Sequence, residues 1–221
     1  MNKLTLLLFL ILCYSFSNSQ VFHFDAGASS SKLDLKFKFQ NIMEQHYDDP
    51  LLALSFSTGI EYFEHKYFSL SSDLYYYKSG GKYSKEELSN TNFIFREPSK
   101  ISMECLSLGS AFNFYPVNKK FKLQLSLGPK VDYILTGAKN VPFSMSDKSR
   151  GMWKFNYGYT AGVGFYYKLN KNIVGINMKY LGRLQKLADQ KQSYDQFQYY
   201  SGAVSSDQIV MVSLSYGIRV K

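Results

Sequence analysis

Residues Leu51–Gly81, LLALSFSTGIEYFEHKYFSLSSDLYYYKSGG, constrain the fold more than any other stretch. Leu52, Leu54, Phe56, Thr58, Ile60 and Tyr62 take every second position of a first run, with Ala53, Ser55, Ser57, Gly59 and Glu61 between them. After the short polar turn Glu64-His65-Lys66, a second run sets Phe68, Leu70, Leu74 and Tyr76 against Ser69, Ser71, Asp73 and Tyr75. Successive side chains of a strand leave opposite faces, so this period of two predicts a hairpin with one greasy and one polar face. Tyr75-Tyr76-Tyr77 reads as an outer aromatic girdle, with Tyr76 facing lipid.

The pattern recurs along the chain. Phe22, Phe24, Ala26 and Ala28 alternate with His23, Asp25, Gly27 and Ser29. Leu106, Leu108, Phe112 and Phe114 oppose Ser107, Gly109, Ala111 and Asn113, while Met103-Glu104-Cys105 breaks register and predicts a bulge near a rim. Phe121–Gly137 sets Leu123, Leu125, Leu127, Val131, Tyr133 and Leu135 against Lys122, Gln124, Ser126, Lys130 and Asp132. Pro129 on its apolar face weakens that strand locally. Phe155–Leu169 and the segment around Val174–Tyr180 follow, and Ile209–Val220 ends the series.

Connections alternate in length. Long ones are expected near 31–50, 80–99, 138–154 and 185–206, and short ones near 64–66, 116–120 and 170–172. About eight strands with long outer loops and short periplasmic turns form a closed antiparallel up-and-down transmembrane barrel, all-β in class. A water-soluble barrel would put its apolar face inward and carry many Lys and Glu outside. Here the polar faces hold mainly Gly, Ser, Ala and Asn with isolated charges, which suits a narrow filled lumen. Mean hydropathy of −0.23 fits strands whose lumen and lipid residues alternate. The 19 Tyr and 18 Phe suit interfacial belts.

Met1–Gln20 reads as a cleaved signal peptide: Lys3, the apolar LTLLLFLILCYSF, then SNSQ. Residues 21–221 then form one barrel domain in the outer membrane. Net charge is +9, but the basic residues are scattered, so nucleic acid is not an expected partner. Cys105 would be the mature chain's one thiol and reads as a small packing residue.

The lumen side carries Glu61, Asp73, Lys130, Asp132, Lys179 and Arg183, both signs on faces that point inward. Unpaired buried charge is costly, so these six are expected to pair into a salt-bridged plug. Tyr194, Phe197, Tyr199 and Tyr200 form a candidate extracellular contact loop. Lys139, Lys148, Arg150 and Lys154 are candidate contacts to lipopolysaccharide headgroups. No catalytic residue is assigned. A lipid-modifying enzyme would need a Ser–His–carboxylate group, no Gly-x-Ser-x-Gly occurs, and only His23 lies on a strand, His46 and His65 falling in connections. Neither cofactor nor metal is expected: Tyr47-Asp48-Asp49 has two carboxylates but no spaced ligand set.

The segments DAGASS, GIEYFEHKYFSLSSDLYYYKSGGKY, ISMECLSLG, LSLGPKVDYILTG, GYTAGVGFYYK and SLSYGIRVK resemble those of the PorT-type outer-membrane β-barrel family of Bacteroidetes bacteria. The resemblance spans nearly all of the chain beyond the leader. It implies an envelope location, partners among membrane lipid, lipopolysaccharide and envelope or secretion proteins, and a structural or interaction role linked to protein secretion. A narrow channel for small solutes is the alternative, and a lipid-modifying enzyme comes third. In this chain Cys105-Leu106 follows Glu104 where the family commonly has Pro, and the last residue is Lys221, with Tyr216 the nearest aromatic.

Overall fold

The computed structural model describes residues 20–39, 43–46, 49–82, 85–88, 100–139, 155–184, 188–189, 193–195 and 198–220. Eight long strands carry the architecture. They are β1 (Gln20–Phe39), β2 (Asp49–Tyr62), β3 (Phe68–Lys82), β4 (Lys100–Asn118), β5 (Phe121–Lys139), β6 (Phe155–Leu169), β7 (Asn172–Arg183) and β8 (Gln198–Val220). Each pairs antiparallel with the next, and β8 pairs back onto β1, so the sheet closes. Closure removes the open edges that hydrocarbon cannot solvate.

The registers fix the barrel's geometry. Tyr62 pairs with Leu70, Leu70 with Phe112, Phe112 with Leu127 and Leu127 with Ala161. Ala161 pairs with Tyr180, Tyr180 with Val210, Val210 with Ser30 and Ser30 with Leu52. The path returns to β2 ten residues from where it began. Eight strands at that stagger tilt by about 40° and enclose a space that side chains alone can fill.

Several strands run further than the hydrophobic pattern indicated. β1 continues through 31–39, where Leu33, Leu35, Phe37 and Phe39 alternate with charged residues, β4 reaches Asn118 past Pro116, and β8 begins at Gln198 instead of near Ile209. In β1 the apolar residues change from even to odd positions there, beside a register shift between Leu33 and Leu35, whereas backbone pairing carries on. Short strands Met43–His46, Lys85–Leu88, Ala188–Asp189 and Ser193–Asp195 extend the sheet at the long-connection end. The bulge expected near Cys105 is present: register shifts between Glu104 and Cys105 in the β4–β5 pairing.

At the other end the connections are Phe63–Tyr67, Lys119-Lys120 and Asn170-Lys171. Asn170 takes φ 52°, a left-handed conformation that Asn tolerates in a two-residue turn. Gly128 lies where β5 has no room for a side chain, since a Cβ there would fall 1.9 Å from the Ser110 carbonyl oxygen.

The outer face is apolar. Phe24, Leu54, Phe56, Leu108, Leu127, Phe165, Ile176 and Leu214 are all exposed, Leu54 by 71% and Leu127 by 62%. The inner face holds buried Ser, Asn, Asp, Glu, Lys and Arg. This polarity is the inverse of a soluble protein's and marks a surface solvated by lipid. The outward runs Phe22–Ala28 and Phe68–Tyr76 end at exposed Lys32 and at an outward Lys78–Glu104 ion pair of 3.3 Å, which set the upper limit of the belt.

Candidate functional site

All six charges singled out from the sequence are buried in the lumen, and each has an ion-pair partner. Alternation put them inward; the barrel's stagger then stacks them in three tiers along its axis.

The tier nearest the short turns is built on Glu61. Lys122 Nζ donates to both carboxylate oxygens at 2.9 and 3.0 Å. Tyr115 Oη donates to Glu61 Oε1 and accepts from Ser69, whose hydroxyl in turn accepts from Asn113 Nδ2 at 3.2 Å. Gln124 Nε2 donates to Asn113 Oδ1 at 2.9 Å and closes the chain. The Lys122 ammonium also sits 4.1 Å from the Tyr115 ring centroid.

In the middle tier His23 lies between two carboxylates. Its Nε2 is 3.0 Å from Asp73 Oδ1 and its Nδ1 is 3.7 Å from Asp25 Oδ2. Lys179 Nζ sits 3.7 Å from Asp25 and 3.8 Å from Asp73, and donates to Tyr75 Oη at 3.4 Å. Ser57 donates to Asp25 Oδ2 at 2.6 Å and Ser71 to Asp73 Oδ2 at 3.1 Å. Gly59 leaves room for this contact: a Cβ there would fall 2.5 Å from Asp73 Oδ1 and 2.7 Å from His23 Nε2.

The third tier gathers two cations on one carboxylate. Lys130 Nζ lies 2.5 Å and Arg183 Nε 3.1 Å from Asp132 Oδ2, while Tyr77 Oη donates to Asp132 Oδ1 at 3.0 Å. Arg183 Nη2 also reaches Cys105 Sγ at 3.3 Å. Lys130 is 2% exposed and Asp132 0%.

Across the described residues these tiers bring four carboxylates (Asp25, Glu61, Asp73, Asp132) against Lys122, Lys130, Lys179 and Arg183, with His23 among them. Each of these carboxylates thus has a cationic partner, as a lumen shielded from bulk water requires. What space is left between the lower and middle tiers is a cavity of about 30 Å³, bounded by Glu61, Lys122, Tyr166, His23, Asp73 and Lys179. That volume suits isolated waters and excludes a hydrated solute. A larger depression of about 580 Å³ lies on the outer face between Phe24, Phe56, Leu74, Tyr76, Leu106 and Tyr216, where lipid chains belong.

Two assignments change. Tyr75 and Tyr77 are not part of an outer girdle; both are buried in the lumen, and only Tyr76 turns outward. Their place followed from parity with Asp73, but tyrosine's suitability for a membrane interface masked it. The contact-loop residues Tyr199 and Tyr200 lie on β8, where Tyr199 pairs with Tyr194 and Tyr200 with Ser193 in a hairpin, so they stand on strand and not on irregular loop. Phe197 lies outside the described residues, as do Lys148, Arg150 and Lys154; Lys139 is the last residue of β5. Lys122, Asp25, His23 and Tyr115 join the network although only their alternation hinted at it.

The fold has a counterpart among solved structures. The chain resembles the outer membrane protein OprG from Pseudomonas aeruginosa at a TM-score of 0.52, with 11% identity, covering 91% of this chain and 97% of that one. Neisserial surface protein A (NspA) aligns at a TM-score of 0.46 and 12% identity, over 89% of this chain and 96% of its own. At such identities the likeness concerns the fold alone. No curated protein matches the sequence. The family model for the outer membrane protein beta-barrel domain matches residues 15–187. With most of the chain inside that match, and with an eight-stranded closed barrel that is charged within and apolar without, the protein belongs to the outer membrane protein β-barrel domain family.

Proposed function

We propose that this small outer-membrane barrel is closed to solutes and serves a structural or protein-interaction role at the cell envelope. The observation that carries the reading is the stack of three ion-paired tiers filling the lumen. Moving a solute through would mean parting Lys130 and Arg183 from Asp132 and Lys122 from Glu61, and buried pairs of this kind resist separation. Planar-bilayer recording of the refolded protein tests it. Silence is the expected result, and a large, steady, ohmic conductance sinks the closed lumen in favour of a narrow solute channel.

The finer affiliation is PorT-type, with a link to protein secretion and a leader removed near Gln20. The resemblance of GIEYFEHKYFSLSSDLYYYKSGGKY and LSLGPKVDYILTG supports the first, and the charge-then-apolar pattern of Met1–Gln20 the second. Co-purification from envelope extracts with secretion components, and N-terminal sequencing of the mature chain, test these in turn. The role is not enzymatic in this reading. Among the described residues the ring nitrogens of His23 face Asp25 and Asp73, and no serine hydroxyl is bonded to it. Turnover of a phospholipid substrate by the refolded barrel would overturn that.

A further inference from the structure

The short-turn end of the barrel carries a cationic arc that the lumen network does not use. Lys119 and Lys120 form the β4–β5 turn and Lys171 belongs to the β6–β7 turn; all three are exposed. Backbone bonds lace these turns to their neighbours. The Lys168 N–H donates to the Lys120 carbonyl at 2.9 Å, and the Arg219 N–H to the Lys171 carbonyl at 2.8 Å. The lysines are therefore held along one continuous rim. Among the described residues at this rim the carboxylate is Glu64, and Arg219 Nη2 occupies both its oxygens at 2.7 and 2.8 Å. Among the described residues no carboxylate pairs with these three exposed lysines.

Immediately beside the arc the surface becomes membrane-facing. Phe121, exposed, stacks edge-on to Tyr167 at 5.0 Å, and Lys120 Nζ lies 5.2 Å from the same tyrosine ring. An aromatic pair at the edge of an apolar belt marks headgroup depth, so the ammonium groups stand where lipid phosphates lie. We infer that Lys119, Lys120 and Lys171 form a binding site for the phosphate of anionic phospholipids in the leaflet at the short-turn end. Charge complementarity and continuity with the lipid belt together favour a lipid over a soluble anion.

The test uses the full chain refolded in zwitterionic detergent and titrated with phosphatidylglycerol or phosphatidylcholine of equal acyl length, read by native mass spectrometry. Phosphatidylglycerol should be retained preferentially, and raising the salt should erode the preference. Neutralising the arc (Lys119→Gln, Lys120→Gln and Lys171→Gln together) should reduce the preference by about fivefold per lysine removed. Lys82→Gln at the opposite rim should leave it unchanged. The three Lys→Arg changes together should retain it, and heat-modifiable mobility reports that each variant is folded. Equal retention of both lipids overturns the site, as does a preference that survives the triple Gln change or high salt. Displacement of phosphatidylglycerol by millimolar inorganic phosphate also overturns it, because the site would then be one for free anions.

Discussion

Lys130 and Asp132 point into the barrel, and Val131 between them points out. The two inward side chains pair with each other, and Asp132 also pairs with Arg183 two strands away. The outward one has no specific partner to satisfy, only lipid. Repeated along every strand, the contrast divides the protein into an interior that depends on exact matching of neighbours and an exterior that depends on hydrophobicity alone. Interior positions should therefore respond to which residue is present, and exterior positions to whether any charge is present.

Substitutions at four positions sharpen that contrast. The largest effect is expected at Asp132→Ala, which leaves Lys130 and Arg183 facing each other and should destabilise the barrel by about 3–5 kcal/mol. Urea titration of the refolded protein in lipid checks it; a shift below about 1 kcal/mol would mean water already screens this tier. Next, Leu127→Arg on the outer face should cost about 2–4 kcal/mol if its site lies near mid-bilayer, whereas Leu127→Ile should be nearly silent. Gly59→Ala should follow at about 1–3 kcal/mol, because the added methyl meets both Asp73 and His23. Smallest is Lys78→Ala at the upper rim, less than about 1 kcal/mol, since its partnership with Glu104 is solvent-exposed. If Lys78→Ala rivals Asp132→Ala in the same titration, inside and outside do not differ as described.

The face of each strand was legible because a period of two needs no knowledge of neighbours. Leu52 to Tyr62 and Phe68 to Tyr76 lie outward as their spacing indicates. The membership of Glu61, Asp73, Lys130, Asp132, Lys179 and Arg183 in the lumen followed in the same way. Their pairings did not. Lys122 is 61 positions from Glu61, and only the stagger between sheets of paired strands brings them together. His23 was visible as a strand residue, but its place between Asp25 and Asp73 depends on β1 being seamed to β2, with Gly59 opposite. Strand ends were the least legible, because in β1 the apolar residues change parity past Ser30 and β8 begins in the Ser- and Gly-containing stretch before Ile209.

The seam between β1 and β8 has a kinetic meaning. It joins Gln20 to Val220 and runs on to Phe39 and Tyr200, so the longest pairing among the described residues unites the first and last strands of the barrel. Every other adjacent pair in the barrel is consecutive and can zip locally, but this one requires the whole chain to be present before the ring can shut. Until it does, β1 and β8 each offer a bare hydrogen-bonding edge that lipid cannot satisfy. Ring closure is consequently a late step that waits on the last strand, β8, while the pairings between consecutive strands do not.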